Sequence, residues 1–151
     1  MGEITNDGAI PALELAMRYA GARQRVLAHN IANIDTPNFR PTDVAPAEFQ
    51  AALSRAIDAR RAGGAAAGGG GGNQQGELPF KGTRQIRIGA DGRMTLTPRT
   101  PSGNVLFHDR NNRDLERLMQ DQAENVGAFR LATDLLRSRY EIIRSAIAER
   151  V

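Results

Sequence analysis

The chain has 151 residues, of which 40% are hydrophobic and only 5% aromatic, with two Tyr, five Phe and no Trp; that composition excludes a large aromatic core. It holds no cysteine and two histidines, His29 and His108, which removes disulfides, Cys-based zinc sites and thiol catalysis and leaves too few ligands for a histidine metal centre. The net charge is +3, but the surplus is confined to residues 80–110 and lies along no helix, so it does not point to nucleic acid.

No stretch reaches 18 uncharged apolar residues, so no membrane span is expected. The first residues, Met1-Gly2-Glu3-Ile4-Thr5-Asn6-Asp7, lack a basic n-region and an apolar core and do not read as a cleavable secretory signal.

Residues 1–61 read as a helix, a turn and a short second helix. Ile10, Leu13, Met17, Ala20, Gln24, Leu27, Ile31 and Ile34 recur at alternating spacings of three and four, an apolar stripe on one helical face. Pro11 suits the first helical turn, where its missing N–H is not needed. The helix is expected to stop near Ile34, because Thr36 precedes Pro37 and is pushed out of the α region. Thr36-Pro37-Asn38-Phe39 then predicts a type II turn, with Asn38 at positive φ. From Pro46 to Arg61 a short amphipathic helix would carry Phe49, Leu53, Ala56 and Ile57 on one face.

Residues 62–79 include AGGAAAGGGGGNQQG, a Gly-rich flexible linker with nothing to build a core from. Residues 80–110 predict a β-hairpin and an extended run: Ile86 and Ile88, then Asp91-Gly92 as the turn, then Met94 and Leu96. Two strands alone are marginal, so the hairpin must lean on another element.

Residues 111–151 predict one long helix from about 112 to 149. Leu115, Met119, Gln122, Val126, Phe129, Thr133, Leu136, Tyr140, Ile143 and Ile147 form an unbroken heptad stripe. Asn111 or Asn112 could cap its start, and Asp114 and Glu116 suit its first turn. The chain is thus expected to be mainly α, with long N- and C-terminal helices forming a coiled-coil pair around a small hairpin and a flexible loop. Each stripe is too thin to offset the entropy of ordering its helix alone, so partners are required: the other end helix and neighbouring copies of the chain. Gln24 and Gln122 interrupt the stripes, either as solvated gaps or as polar breaks that fix register.

No catalytic pattern is present. There is no G-x-S-x-G, no P-loop and no dinucleotide-binding glycine motif. His29 falls away from the stripe and His108 sits in a polar loop, so neither nominates a base. A non-enzymatic protein without cofactors is expected.

Two segments resemble a known family. Asn30-Ile31-Ala32-Asn33-Ile34-Asp35-Thr36-Pro37-Asn38-Phe39-Arg40 is similar to the N-I-A-N-x-x-T-P-G-Y-[KR] pattern of flagellar axial proteins, which build the rod, hook and hook-associated structures. The run from Asn111 through Leu136-Arg137-Ser138-Arg139-Tyr140 to Ile147 resembles the short proximal rod members. Asn38 stands where the family usually has Gly, and Phe39 where it often has Tyr; Asn tolerates positive φ and Phe keeps the ring. The resemblance implies a structural rod subunit of the basal body, spanning the periplasmic space and reached by type III export without a cleaved signal. It implies partners among other rod proteins, copies of itself, the membrane ring, the export gate and the rod–ring adaptor. It also implies a gate-recognition motif, to which Phe49-Gln50-Ala51-Ala52-Leu53 is similar, although Phe49 and Leu53 at i and i+4 are equally an ordinary amphipathic helix. The rival readings are a cytoplasmic coiled-coil adaptor or regulator, and a nucleic-acid module using Arg84, Arg87, Arg93 and Arg99.

Overall fold

The computed structural model describes residues 9–66, 78–100 and 115–148. In chain order these form α1 (Ala9–Ala32), α2 (Pro46–Ala66), β1 (Ile86–Ile88), β2 (Met94–Leu96) and α3 (Leu115–Ala148). The architecture is mainly helical, with a small hairpin between the first and last helices, as the periodicities require. The capping positions Asn111, Asn112 and Asp114, the poly-Gly tract from residue 67 and His108 lie outside the described residues.

Helix α1 keeps Pro11 in its first turn and ends two residues before Ile34. Asn33 closes it: its backbone N–H and its side-chain Nδ2 both donate to the His29 carbonyl, at 3.2 and 2.8 Å. The asparagine amide there adds a second donor to a carbonyl of the last helical turn. Helix α2 runs to Ala66, five residues past the Arg61 boundary. Ala62, Ala65 and Ala66 favour helix enough to carry it across Gly63 and Gly64.

The hairpin pairs Ile86 with Leu96 and Ile88 with Met94. Its loop differs from the two-residue turn expected at Asp91-Gly92. Gly89 N–H donates to Arg93 O at 2.9 Å, and Gly92 N–H donates to Gly89 O at 2.9 Å. Three residues, Ala90 to Gly92, therefore connect the strands, and Gly92 takes the left-handed φ of 72° that ends such a loop. The Asp91 carboxylate accepts from Arg93 N at 3.0 Å and fixes the turn.

The hydrophobic core lies between α1, α2 and the hairpin. Leu15, Tyr19, Val44, Phe49, Ala56, Leu78, Ile86 and Met94 form it, and Tyr19 stacks face to face on Phe49 with centroids 4.1 Å apart. This core supplies the surface on which the hairpin leans. It buries a face of α1 that the expected stripe did not include. Leu15, Tyr19, Ala22, Arg23 and Asn30 are buried there, while Ile10, Leu13, Met17, Gln24, Ile31 and Ile34 are half-buried and Ala20 and Leu27 buried. Helix α1 is consequently a central helix, covered on two sides.

Helix α3 packs antiparallel along α1, with Tyr140 reaching Glu14 at 3.3 Å and Asn125 reaching Ala20 and Gln24. Its inward face is not the predicted stripe. The buried residues are Leu118, Asn125 and Ala132, and Gln122, Leu136, Arg139 and Ile143 flank them half-buried. Gln122, Leu136 and Ile143 belong to both stripes, but the alternate positions have moved back by one residue. Leu115, Met119, Phe129, Tyr140 and Ile147 are exposed, at 39–65%, and Val126 is half-buried. Small Ala132 and hydrogen-bonding Asn125 let the helices approach where the bulkier Met119 and Tyr140 would hold them apart.

Candidate assembly surface and turn site

The segment from Asn30 to Val44 is built by hydrogen bonds that its sequence supplies. Asn30 is fully buried. Its Nδ2 donates to Thr42 O at 2.6 Å, and Thr42 N–H donates back to its Oδ1 at 3.1 Å. The amide thus pairs with the returning chain as a neighbouring strand would. Between them, Phe39 N–H donates to Thr36 O at 3.1 Å and Asn38 has φ 62°, the turn that Pro37 and Asn38 predict. Asp35, Thr36 and Pro37 are exposed at its tip, as is Ala32. Phe39 sets its ring edge against exposed His29, centroids 5.7 Å apart, giving the turn an apolar knob. Asn38→Gly is expected to stabilise the chain by up to about 1 kcal/mol, because Gly takes positive φ at no steric cost; chemical denaturation midpoints measure it.

Beyond the turn, Asp43 forms an isolated antiparallel bridge with Arg99, with backbone bonds of 2.9 and 3.0 Å. Its carboxylate accepts from Arg23 Nε at 3.0 Å, and Arg23 also lies 3.6 Å from Asp121 on α3. The Arg23 side chain is only 4% exposed. Burial opposes its charge, but the Asp43 hydrogen bond and charge more than offset this and raise its pKa. Asp121 is raised above the ordinary carboxylate range by burial, which outweighs the attraction of Arg23. One guanidinium therefore ties α1 to the returning loop strongly and to α3 more weakly.

Tyr19 completes the anchorage: its hydroxyl donates to Val44 O at 2.7 Å in a buried setting. Burial pushes the phenol well above its ordinary value of 10.0. A raised folded-state pKa means stability that is whole below pH 10 and falls as the solution becomes more alkaline. In a Tyr140→Phe background, ultraviolet titration should show no phenolate until the chain unfolds at high pH; ionisation near pH 10 in the folded state would contradict it.

The second surface is made by exposed apolar residues on the two flanks of α3. Besides the residues already named, Leu131, Leu135 and Ile142 are exposed at 62%, 46% and 45%. Their spacings of four and seven form a second apolar line that the single-stripe reading passed over. A soluble helix normally keeps such residues covered.

Phe49 is 5% exposed, stacked on Tyr19 and tilted against Phe80, and Leu53 packs against the same core. Arg84, Arg87, Arg93 and Arg99 are all exposed, and Arg93 lies 3.6 Å from Asp91. Among the described residues no helix is long and apolar enough to cross a membrane, and no three His, Cys, Asp or Glu side chains cluster as metal ligands.

These features define a class: a chain folded around its own N-terminal helix, with a hydrogen-bonded turn at one end and exposed apolar residues along its last helix. The sequence is 29% identical, over 139 residues, to the flagellar basal body rod protein FlgB of Borrelia hermsii. The match spans 90% of this chain and 95% of that protein, and so supports the flagellar rod family. No family model matches the sequence.

Proposed function

We propose that the chain is a structural, non-enzymatic subunit of the proximal rod of the bacterial flagellar basal body. The reading is carried by the exposed apolar flanks of α3 on a chain alignable almost end to end with a rod protein. The run from Asn111 to Ile147 favours the FlgB type over the similarly short proximal rod protein FlgC. Leu115, Met119, Phe129, Leu131, Leu135, Tyr140, Ile142 and Ile147 would meet neighbouring subunits, and the Asp35–Phe39 turn would present Phe39 to another. Assembly would proceed with other rod proteins above the membrane ring, export gate and rod–ring adaptor. Export by the type III route requires an unfolded chain, and in that state Phe49 and Leu53 leave the core and become readable by the gate.

Leu131→Glu combined with Ile142→Glu tests the reading. Both sites are exposed, so the denaturation midpoint should change little. Sedimentation of the parent chain should show concentration-dependent polymerisation, or co-assembly with other rod proteins, and the variant should abolish it. A fixed dimer at all concentrations would favour an adaptor instead. In cells, deletion of the gene should leave basal bodies with a membrane ring and no rod.

A further inference from the structure

The second half of α3 carries two exposed apolar flanks edged by opposite charges. Leu131, Leu135 and Ile142 form one flank, and Phe129, Tyr140 and Ile147 form the other. Their charged neighbours follow from helical spacing, because residues three or four apart share a face. Asp134 stands three residues after Leu131, and Glu141 one heptad later beside Ile142; both are exposed on the outer edge of the first flank. Arg137 and Arg144 bracket Tyr140 at three and four residues, and Arg130 lies one heptad before Arg137; these are exposed on the outer edge of the second flank. The inner edges carry the reverse pattern. Arg139, four residues after Leu135, lines one pocket with Arg60 and Arg61 of α2, whereas Glu14 accepts from the Tyr140 hydroxyl at 3.3 Å on the other side. The Arg137–Glu141 pair at 3.4 Å leaves both side chains open to solvent, 79% and 69% exposed, and such a pair contributes little by itself.

Pairing of like flanks between two copies would set Asp134 and Glu141 against their own counterparts, or the arginines against theirs, and like charges across an interface oppose binding. The first flank against the second sets acids opposite arginines instead. With the two helices parallel and level, Asp134 lies within about 6 Å along the axis of the neighbour's Arg130 and Arg137, and Glu141 equally of its Arg137 and Arg144. We propose that α3 is a head-to-tail connector, whose Leu131–Ile142 flank docks on the Phe129–Ile147 flank of a second copy. The inference rests on the reading of the chain as a self-assembling subunit and names the pairing that subunit uses. Because the two patches differ, a pair of copies leaves one patch of each kind open. Association then continues to a closed ring or an open helical array and does not stop at a two-fold dimer.

Charge reversal in the full chain tests the pairing. Asp134→Arg with Glu141→Arg makes the outer edges of both flanks basic, and Arg137→Glu with Arg144→Glu makes both predominantly acidic. Each variant alone should raise the concentration needed for self-association, measured by sedimentation, by about tenfold or more. An equimolar mixture of the two should return it to within about threefold of the parent, since each reversed flank then meets an opposite one. If circular dichroism shows that a reversal loses helix, cross-linking decides, with no native cysteine to interfere. Ser138→Cys lies on the first flank and Thr133→Cys, four residues after Phe129, on the second. A short bis-maleimide should join these two chains in mixture at least fivefold faster than it joins either chain to itself. Unchanged association on charge reversal, a mixture no better than its components, or preferential linkage of like positions would overturn the head-to-tail pairing. If Leu131→Glu with Ile142→Glu still abolishes association in that case, the assembly reading survives and only the pairing falls; a parent chain that stays monomeric removes both.

Discussion

Replacing Arg23 by alanine is expected to lower the unfolding free energy by about 3 kcal/mol, the low end for breaking a buried ion pair by removing one partner. The reason lies in what is left behind. Asp43 loses the guanidinium that holds its carboxylate, while its side chain is only 20% exposed, and Asp121 at 30% loses its attraction as well. Partial exposure of both acids keeps the cost from rising further. For a chain of this size the melting temperature should fall by about 6–12 °C. The two acids should not be equivalent. Asp43→Asn should cost about 2 kcal/mol, because it is tied by hydrogen bonds at 3.0 and 3.2 Å to Arg23 Nε. Asp121→Asn should cost under about 1 kcal/mol at neutral pH, since burial already raises its pKa and a neutral side chain removes that penalty. Calorimetry of the three variants measures the order; equal losses from the two acids would show that α3 depends on Arg23 as much as the loop does.

Asn30→Ala is the second large effect, about 2–3 kcal/mol, measured by urea denaturation. Alanine removes both the donor and the acceptor that meet Thr42, leaving a backbone N–H and carbonyl beside a cavity. The turn between them would lose its fixed base, so the Asp35–Phe39 tip should also become more accessible to proteolysis. Asn33→Ala, in the same motif, should cost under about 1 kcal/mol, because its bond to the His29 carbonyl is solvent-exposed and water replaces it. The contrast separates the two asparagines of the motif by burial alone.

In this fold polar residues occupy places that apolar patterning assigns to leucines. Asn125 donates to Ala20 O at 3.0 Å and to Gln24 Oε1 at 2.9 Å, so Gln24 is hydrogen-bonded across the α1–α3 contact. Gln122 lies on the same face, its Oε1 buried with no hydrogen-bond donor among the described residues. An interface in which Asn125, Gln122 and Arg139 stand among Leu118, Ala132, Leu136 and Ile143 holds α3 less firmly than an all-apolar seam would. That suits a helix whose bulky side chains remain outside.

The sequence by itself determined the element types and nearly all of the turn chemistry. The stripes on α1 and α3 demand helices, Pro37 and Asn38 demand the turn at φ 62°, and Ile86, Ile88, Met94 and Leu96 demand a hairpin, because these are local consequences of period, propensity and backbone sterics. Which side of each helix is buried was decided only by the tertiary structure. A heptad stripe specifies a direction of apolar preference, but α2 and the hairpin compete for α1, and the winning face of α3 is the one whose small and hydrogen-bonding residues allow close approach. Arg23, Asn30, Asp43 and Tyr19 were invisible as anchors for the same reason: polar side chains gain value inside a protein only when their partners arrive from segments distant in the chain, and no spacing rule records that arrival.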